Sequence, residues 1–209
     1  MIELYFASTP NAQRALVTLE EAGLSYTLHA LDLFKGEQDL PSFLELNQLR
    51  AVPVLVDPDG PGGQRLVLTQ SVAIMLYVAE KAQSLIPMDA GRRVEMFRWM
   101  TMVASDVGGT NTTINQLRRS APEKSEANIK FFEERLLIYL ASCDERLKDR
   151  DYMSDEFSLA DISLYPFAAA RRSLIEQQEG LFSLRAWMTR MAARRAVAKA
   201  MSVSTMRSP

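Results

Sequence analysis

The sequence predicts an α/β domain followed by an all-α helical bundle. Short apolar runs alternate with helical periods over residues 1–81, which is the pattern of strands interleaved with helices. From residue 92 to 209 only helical periods occur, and turn-forming residues are few until the carboxyl end. We therefore expect two domains, 1–81 and 92–209, joined by a linker over 82–91.

A strand–helix–strand unit opens the chain. Ile2–Ala7 is a short aromatic and aliphatic run, which is typical of a buried strand. Apolar residues then recur at helical spacing over 10–22, with Pro10 in the first turn, where proline is tolerated, and Gly23 just past the end. Because a helix separates Ile2–Ala7 from the next apolar run, Tyr26–Leu33, these two strands should be parallel.

A hairpin and another helix complete the first domain. Val52–Val56 and Arg65–Leu68 flank a turn that is rich in proline and glycine. Pro53 removes a ladder donor, so it belongs at the first residue of a strand or at an edge, where a cis peptide can be accommodated. Gln70–Lys81 is apolar around most of its circumference, which predicts a helix buried on two sides.

Apolar stripes predict at least three amphipathic helices in the second domain. In the sequence between the second and third of the stripes named below, Ser158-Leu159-Ala160-Asp161 is a variant of the capping box. Its serine hydroxyl can hydrogen-bond a free backbone amide, and Asp161 lies near the positive end of the helix. The three stripes are Phe97, Met100, Thr101, Ala104 and Val107; Phe132, Leu136, Tyr139, Leu140 and Cys143; and Leu184, Trp187, Met188 and Met191.

Composition excludes several classes of protein. The chain has 209 residues, with 24 Lys and Arg against 26 Asp and Glu and a formal net charge of -2, so it lacks the positive field that nucleic-acid binding requires. No run approaches the roughly 18 apolar residues of a spanning helix, and the amino terminus carries an acid where a signal peptide has positive charge. We expect a cytoplasmic protein with no nucleic-acid or membrane partner.

One histidine and one cysteine are too few for a Cys/His metal site or an internal disulfide, so we expect no metal. His29 stands in an apolar stretch, which favours a strand position over the role of a catalytic base. Cys143 lies on an apolar stripe, which favours an inert buried thiol over a redox role.

Three backbone features are expected to meet at one edge of the sheet: the amino terminus of the first helix, the loop before Pro53, and the amino terminus of the helix that begins at Gln70-Ser71. Helix amino termini present unsatisfied N–H groups and a partial positive charge, so two of them favour a carboxylate or a thiolate over a cation. Val52, which precedes the proline, has an N–H and a C=O free to pair with an extended ligand. The residues alone predict a site for a small anionic peptide.

Four segments carry a resemblance to the glutathione S-transferase family: Leu4-Tyr5-Phe6 through Thr9-Pro10-Asn11, Val52-Pro53, Gln70-Ser71-Val72-Ala73-Ile74, and Ser158-Leu159-Ala160-Asp161 followed by Ile162. The resemblance runs over nearly the whole chain. It implies a thioredoxin-like amino-terminal domain, an all-helical second domain, a homodimer with the active site near the interface, and a role in detoxification. The Thr-Pro-Asn loop looks closest to bacterial members, some of which act on disulfides of glutathione.

The resemblance implies glutathione as cosubstrate and catalytic roles for Thr9 and Asn11. A thiol with a reference pKa of about 8.5 is mostly protonated at neutral pH, so donors to the thiolate raise the nucleophilic fraction without a base. Thr9 offers a hydroxyl and Asn11 an amide for that purpose, and Ser8 competes with them.

Further positions resemble the family's contacts with the rest of glutathione. Ser71 would take the glutamyl carboxylate and Gln70 the neighbouring polar groups. Val52, before the cis-proline turn at Pro53, would pair main chain to main chain with the cysteinyl unit. Gln38 matches a position that reaches the glycyl end.

The chain also departs from the family pattern. Ala51 replaces a Lys or Gln that many relatives use to hold the glycyl carboxylate, so either Arg50 substitutes or this contact is absent. Asp106 is similar to an acidic residue that in some members reaches the ligand of the partner subunit, although a solvated helix position is an equal alternative. No tyrosine stands where Tyr-type members place their catalytic hydroxyl, and Tyr5, inside the first strand, is expected in the core.

Two function classes remain. The first is a glutathione transferase whose thiolate attacks a small electrophile or a disulfide, including disulfide-bond reductase or peroxidase activity, with a second-substrate pocket in the domain 92–209. The second is a binding or regulatory protein of the same fold, like bacterial relatives associated with RNA polymerase. Its support is Ala51 and a basic stretch near the carboxyl end. Such a stretch is usually a solvated face, but it could also attract an anionic partner. Its members are Arg185, Arg190, Arg194, Arg195, Lys199 and Arg207. The retained site residues favour the enzyme.

Overall fold

The computed structural model describes residues 1–203, which form two compact units. One unit comprises residues 1–86 together with residues 193–203, and the other comprises residues 87–192. Residues 193–203 thus belong to the first unit, whereas the sequence interpretation assigned all of 92–209 to the helical domain. Arg207, the last member of the basic stretch, lies outside the described residues. None of the helices formed by residues 1–203 combines the length and apolar character that crossing a bilayer requires.

A four-stranded sheet forms the centre of the first unit. Its strands are β1 (Ile2–Phe6), β2 (Tyr26–Ala30), β3 (Val54–Asp57) and β4 (Leu66–Thr69), in the order β2-β1-β3-β4. β1 and β2 are parallel, as predicted for strands joined by the helix α1 (Pro10–Ala22). β3 is antiparallel to both of its neighbours, so the predicted βαβ unit and the predicted hairpin are both confirmed.

Two helices, α1 and α3 (Ser71–Ala82), pack against each other and against the sheet. Along β1 the fully buried side chains alternate with half-buried ones, so one face of the strand is covered by helices. α1 begins after Thr9, its N-cap, and ends at Gly23, whose φ of 67° is the left-handed conformation that commonly terminates helices. The helix limits therefore match those predicted from the sequence.

The opposite face of the sheet carries a smaller apolar cluster under the short helix α2 (Pro41–Leu44). Tyr5 packs against the buried members of this cluster, Leu31, Phe43 and Val54. Its ring stacks on that of His29 in β2, with centroids 4.6 Å apart, and His29 Nε2 lies 2.8 Å from a carboxylate oxygen of Glu3. Both Tyr5 and His29 therefore occupy strand positions, as predicted, and burial raises the pKa of Tyr5.

The last helix, α10 (Arg195–Ser202), packs on α1. Lys199 Nζ lies 2.7 Å from a carboxylate oxygen of Glu20, and Arg194 donates from Nε and Nη2 to the two oxygens of Glu21 at 2.7 and 2.8 Å. Part of the basic stretch therefore pairs with the acidic end of α1. The sequence analysis did not predict these ion pairs, because the two residues of each pair lie at opposite ends of the sequence.

The second unit is helical, as predicted. Its apolar stripes are largely buried, although Phe97 is 43% exposed. Cys143 is fully buried, and because burial disfavours the thiolate its pKa rises to about 12, which fits an inert thiol. The helices are α4 (Ala90–Met102), α5 (Gly108–Arg119), α6 (Glu126–Leu147), α7 (Leu159–Ala170), α8 (Arg172–Gln177) and α9 (Phe182–Ala192).

A π-helical turn, Val103–Val107, joins α4 to α5. Gly108 follows it at a close approach to α7: a Cβ at this position would lie 3.1 Å from the carbonyl oxygen of Val103 and 3.3 Å from the ring of Phe167. Only a residue without a side chain fits there without displacing backbone or ring. The sequence periodicity did not indicate this turn, because the apolar stripe continues through it.

The predicted capping box at the start of α7 is confirmed. Ser158 caps the helix, and the carboxylate of Asp161 accepts hydrogen bonds from the backbone N–H of Ser158 at 3.1 Å and of Met153 at 3.0 Å. The same carboxylate accepts a bond of 2.9 Å from Nε1 of Trp187 in α9. Asp161 therefore joins the helix cap to two other segments of the second unit.

We expect replacement of Asp161 to reveal a pH-dependent contribution to stability. Burial raises the pKa of Asp161 from 3.8 to about 6, although its hydrogen bonds oppose that rise. The folded state then holds the proton more tightly than the unfolded chain, so lowering the pH from 7 to 4 favours folding by about 2 kcal/mol. The difference in unfolding free energy between the wild type and Asp161→Asn should increase over that range, as measured by urea denaturation at several pH values.

The matched control is Asp149→Asn, which removes an exposed carboxylate from the same unit. It should show no comparable trend. A difference between wild type and Asp161→Asn that stays constant from pH 7 to pH 4 would contradict the prediction.

Candidate functional site

The strand register brings the predicted site segments to one edge of the sheet. Val54 at the start of β3 pairs with Tyr5 of β1 on one side and with Thr69 of β4 on the other. Because the ladder continues outward from these pairs, the Val52-Pro53 segment lies between the chain leaving β1 and Gln70-Ser71. Segments far apart in the sequence are thereby neighbours in the fold.

The Val52–Pro53 peptide bond is cis, and Asn47 shapes the loop before it. Asn47 is buried; its Nδ2 donates to the carbonyl of Ala51 at 2.8 Å, and its Oδ1 accepts from the N–H of Leu49 at 3.1 Å. Within residues 1–203, none of the turn, loop and cap hydrogen bonds between backbone groups uses the N–H or the C=O of Val52. The sequence analysis anticipated the turn and missed Asn47, whose role depends on the loop geometry.

The amino terminus of α3 lacks a side-chain cap. Gln70 precedes the helix with a φ of 69°, its side chain is exposed, and it makes no capping hydrogen bond, while its carbonyl accepts from Ile74 N–H to begin the helix. Among residues 1–203 no N-cap side chain takes up the first N–H groups of α3, which therefore keep their donor capacity there, together with the positive end of the helix dipole. Ser71, the first helical residue, is buried.

The loop before α1 gives the three candidate thiol activators different hydrogen-bond partners. Ser8 Oγ donates to the carbonyl of Val203 at 3.1 Å, so its hydroxyl hydrogen is engaged within the protein. Thr9 Oγ1 accepts from Ala12 N–H at 3.3 Å as the N-cap, and its hydroxyl hydrogen bonds to no group of residues 1–203. Asn11 likewise keeps its Nδ2 donors unused by that part of the chain. Thr9 and Asn11 thus retain the donors that the sequence analysis assigned to them.

Arg14 joins the two helix amino termini. Its side chain is only 5% exposed; Nε donates to Ser71 Oγ at 3.0 Å and Nη2 donates to Asn11 Oδ1 at 2.8 Å. Ser71 Oγ also lies 3.4 Å from Asn11 Oδ1. Burial lowers the pKa of Arg14 to about 10, so the guanidinium remains protonated at neutral pH. The sequence analysis missed Arg14, for which the one local signal is its position a helical turn beyond Asn11.

The two residues predicted for the glycyl end lie together around Asp39. Gln38 Nε2 donates to one Asp39 oxygen at 3.4 Å, and Arg50 Nη1 lies 3.3 Å from the other. Gln38 Oε1 is buried and has no hydrogen-bond partner among the described residues. A carboxylate at this position would compete with Asp39 for Arg50, whose side chain is exposed.

Asp106 lies in the second unit, on the π-helical turn. It is half-buried, and its carboxylate accepts a hydrogen bond of 3.0 Å from the hydroxyl of Ser105. Its predicted approach to the ligand of a partner subunit stays a prediction.

Comparison with known proteins identifies the class that this fold and site define. Residues 9–81 match the family model described as the glutathione S-transferase amino-terminal domain, and residues 94–195 match the carboxyl-terminal domain of the same family. The chain therefore belongs to the glutathione S-transferase family.

The similar proteins include bacterial relatives of two kinds. The disulfide-bond oxidoreductase YfcG of Escherichia coli K12 is 31% identical over 172 residues, which cover 81% of this chain and 80% of the relative. The glutathione S-transferase GstA of Escherichia coli O157:H7 is 29% identical, with 89% of this chain and 90% of the relative covered.

Solved structures extend the comparison to bound ligands. A glutathione transferase from Pseudomonas putida, with one glutathione disulfide bound per subunit, has a TM-score of 0.88 and 27% identity and covers 97% of this chain and 91% of its own. A glutathione transferase from Burkholderia graminis, with two glutathione molecules bound per subunit, also has a TM-score of 0.88 and 27% identity, and covers 96% and 87%.

Proposed function

We propose that this protein is a glutathione-dependent enzyme that activates the thiol of glutathione as a thiolate for attack on a disulfide or an electrophile. The observation that carries the proposal is the cluster in which Arg14 joins Asn11 to Ser71, beside the cis Val52–Pro53 turn. This arrangement places hydrogen-bond donors where a tripeptide with a carboxylate, a backbone and a thiolate can use them.

Each part of glutathione has a matching group in the proposed binding mode. The glutamyl carboxylate lies at Ser71 and the uncapped N–H groups of α3, with Gln70 beside it. The cysteinyl backbone pairs with Val52 in the manner of an added strand. The sulfur lies at Thr9 and Asn11, and the glycyl end lies toward Gln38 and Arg50.

The chemistry follows from stabilisation of the thiolate. Hydrogen bonds from Thr9 and Asn11 favour the charged sulfur and so lower the pKa of the bound thiol from its ordinary value of about 8.5. The thiolate then attacks one sulfur of a disulfide, forms a new mixed disulfide and expels the other sulfur as a thiolate. Attack on an electrophilic carbon uses the same activated nucleophile.

Disulfide chemistry is the form that the comparisons support most. The relative YfcG is named a disulfide-bond oxidoreductase, and the Pseudomonas putida neighbour holds glutathione disulfide. Membership of the family also supports the proposals of a homodimer, a cytoplasmic location and a second-substrate pocket in the helical domain. Asp106 is proposed to contribute to that assembly.

The alternative of a binding or regulatory protein rested on Ala51 and on the basic stretch. Two of the basic residues, Arg194 and Lys199, form ion pairs with Glu21 and Glu20, so their charge is largely neutralised within the protein. This observation favours the enzyme, since acidic side chains of the protein itself engage part of the basic charge on which the alternative rested.

Titration calorimetry with reduced and then oxidised glutathione tests the proposal directly. Saturable binding of either form supports it, and tighter binding of the oxidised form supports disulfide chemistry over conjugation. Absence of binding of both forms at millimolar concentration would overturn the proposal and favour a protein partner instead.

Replacing Ser71 should weaken glutathione binding. Ser71→Ala removes a hydroxyl that hydrogen-bonds a charged group, which costs roughly 1 to 3 kcal/mol, about a 5- to 150-fold rise in Kd. Calorimetry of the variant measures this change, with Ser25→Ala, an exposed serine of the same unit, as the matched control. An unchanged Kd in Ser71→Ala would remove this residue from the site.

Replacing Asn11 should mainly lower turnover. Asn11→Ala removes a donor to the thiolate, so kcat with a disulfide substrate should fall about ten- to a hundredfold, the effect of one hydrogen bond to a charged group. Ser8→Ala is the control, because the Ser8 hydroxyl donates to Val203 and should leave turnover close to that of the wild type. Normal turnover in Asn11→Ala would assign the activation to Thr9 or Ser8, and normal turnover in Ser8→Ala as well would leave Thr9.

A further inference from the structure

Arg14 is a buried cation that the proposed mechanism does not use directly. It lies on α1, its side chain is 5% exposed, and its guanidinium spans residues that are 60 positions apart in the sequence. Burying an arginine is costly unless its N–H groups find acceptors. Two of the acceptors that Arg14 finds among residues 1–203 are Asn11 and Ser71, both part of the proposed glutathione site.

The direction of these hydrogen bonds follows from the chemistry of arginine. A guanidinium has five N–H donors and no acceptor, so the atom of Asn11 that faces Arg14 must be the carbonyl oxygen Oδ1. This assignment does not depend on distinguishing the oxygen from the nitrogen of the amide. The amide nitrogen of Asn11 must therefore point away from Arg14.

The same logic applies to Ser71. Its Oγ accepts from Arg14 Nε at 3.0 Å, so the lone pair facing Arg14 is occupied and the hydroxyl hydrogen must point elsewhere. The nearby oxygen of Asn11 is 3.4 Å away, which is long for a bond from a hydroxyl, so this hydrogen is weakly held. It is available to a better acceptor such as a carboxylate.

We propose that Arg14 is a positioning residue that fixes the hydrogen-bond polarity of the glutathione site, so that Asn11 and Ser71 both present donors to an anionic ligand. The inference rests on the proposed function and adds a specific role to it. Without Arg14, the Asn11 amide can rotate and offer its oxygen to the thiolate, which would repel it. Arg14 itself touches neither the thiol nor the carboxylate in this scheme.

The shape of the guanidinium explains why arginine suits this position. Nε and Nη2 lie on one edge of a rigid planar fork, and they reach two oxygens at 3.0 and 2.8 Å simultaneously. One rigid group therefore orients Ser71 at the start of α3 and Asn11 in the first turn of α1. A lysine would carry the charge and could donate to both oxygens, but without the fixed angle between its bonds.

Two variants separate this role from a general contribution to stability. Arg14→Met removes the N–H donors and the charge but keeps an unbranched apolar side chain. Arg14→Lys keeps the positive charge and N–H donors but removes the planar guanidinium. Arg194→Met is the matched control, because Arg194 also makes a bidentate contact in the first unit, with Glu21 at the other end of α1. Should Arg14→Met fail to fold, Arg14→Gln takes its place in the comparison.

The deciding measurement is the pKa of the thiol of bound glutathione, followed by the ultraviolet absorbance of the thiolate as a function of pH. We expect Arg14→Met to raise this pKa by about one unit, equivalent to a tenfold loss of thiolate stabilisation, and Arg14→Lys to recover part of it. The Kd of S-methylglutathione, which has no thiolate, should also rise in Arg14→Met because Ser71 loses its orientation. Arg194→Met should change neither quantity.

A double-mutant comparison tests the coupling between Arg14 and Asn11. If Arg14 acts through Asn11, then Asn11→Ala should raise the thiol pKa in the wild-type background and change it little in Arg14→Met. Two results would overturn this inference and leave the proposed function standing, provided that the wild type binds glutathione. One is that the two substitutions shift the thiol pKa additively. The other is that Arg14→Met changes neither the thiol pKa nor the Kd. Failure of the wild type to bind glutathione would overturn both.

Discussion

The pairing of β3 with both β1 and β4 is the constraint on which the first unit depends. This register places the cis Val52–Pro53 turn between the chain that leaves β1 and the chain that enters α3. A shift by one residue would turn Val54, which packs in the apolar cluster with Phe43, toward the other face of the sheet. The same burial that stabilises the sheet therefore holds the backbone groups of Val52 at the site.

Helix α3 is fixed by a charged contact near each of its ends. At its amino end Ser71 accepts from Arg14, and toward its carboxyl end Tyr77 and Lys81 contact Asp57, the last residue of β3, at 2.6 and 2.8 Å. Burial alone would raise the pKa of Asp57, but the hydrogen bonds from Lys81 and Tyr77 outweigh it and hold the pKa below its ordinary value. The position of the α3 amino terminus, with its free N–H groups, is thus determined by contacts along the whole helix.

In each compact unit, a buried charged side chain joins segments that are distant in the sequence. Arg14 connects α1 to α3 in the first unit, and Asp161 connects the α7 cap to Met153 and Trp187 in the second. A buried charge costs free energy unless it is hydrogen-bonded, and each of these groups has at least two partners. In the first unit that requirement has a functional consequence, because two partners of Arg14, Asn11 and Ser71, are residues proposed to contact glutathione.

Local sequence determined much of this protein. The limits of α1, the hairpin of β3 and β4, the cap at Ser158 and the strand position of His29 follow from side chains within a few residues of one another, and the structure agrees with each. The proposed site residues were identified because the residues at those positions resemble the motifs of a known family. The resemblance indicates which distant segments meet in the fold, and residue spacing alone does not. Glutathione-site roles for Gln38, Arg50 and Asp106 stay predictions.

Tertiary structure decided what depends on partners remote in the chain. Arg14 became part of the site only when α1 and α3 packed together. The basic residues of α10 paired with α1 across almost the full length of the sequence. Helical period and turn composition are set by backbone dihedral angles and near neighbours, whereas the partner of a donor or a charge is chosen by the global packing that brings distant acceptors within reach.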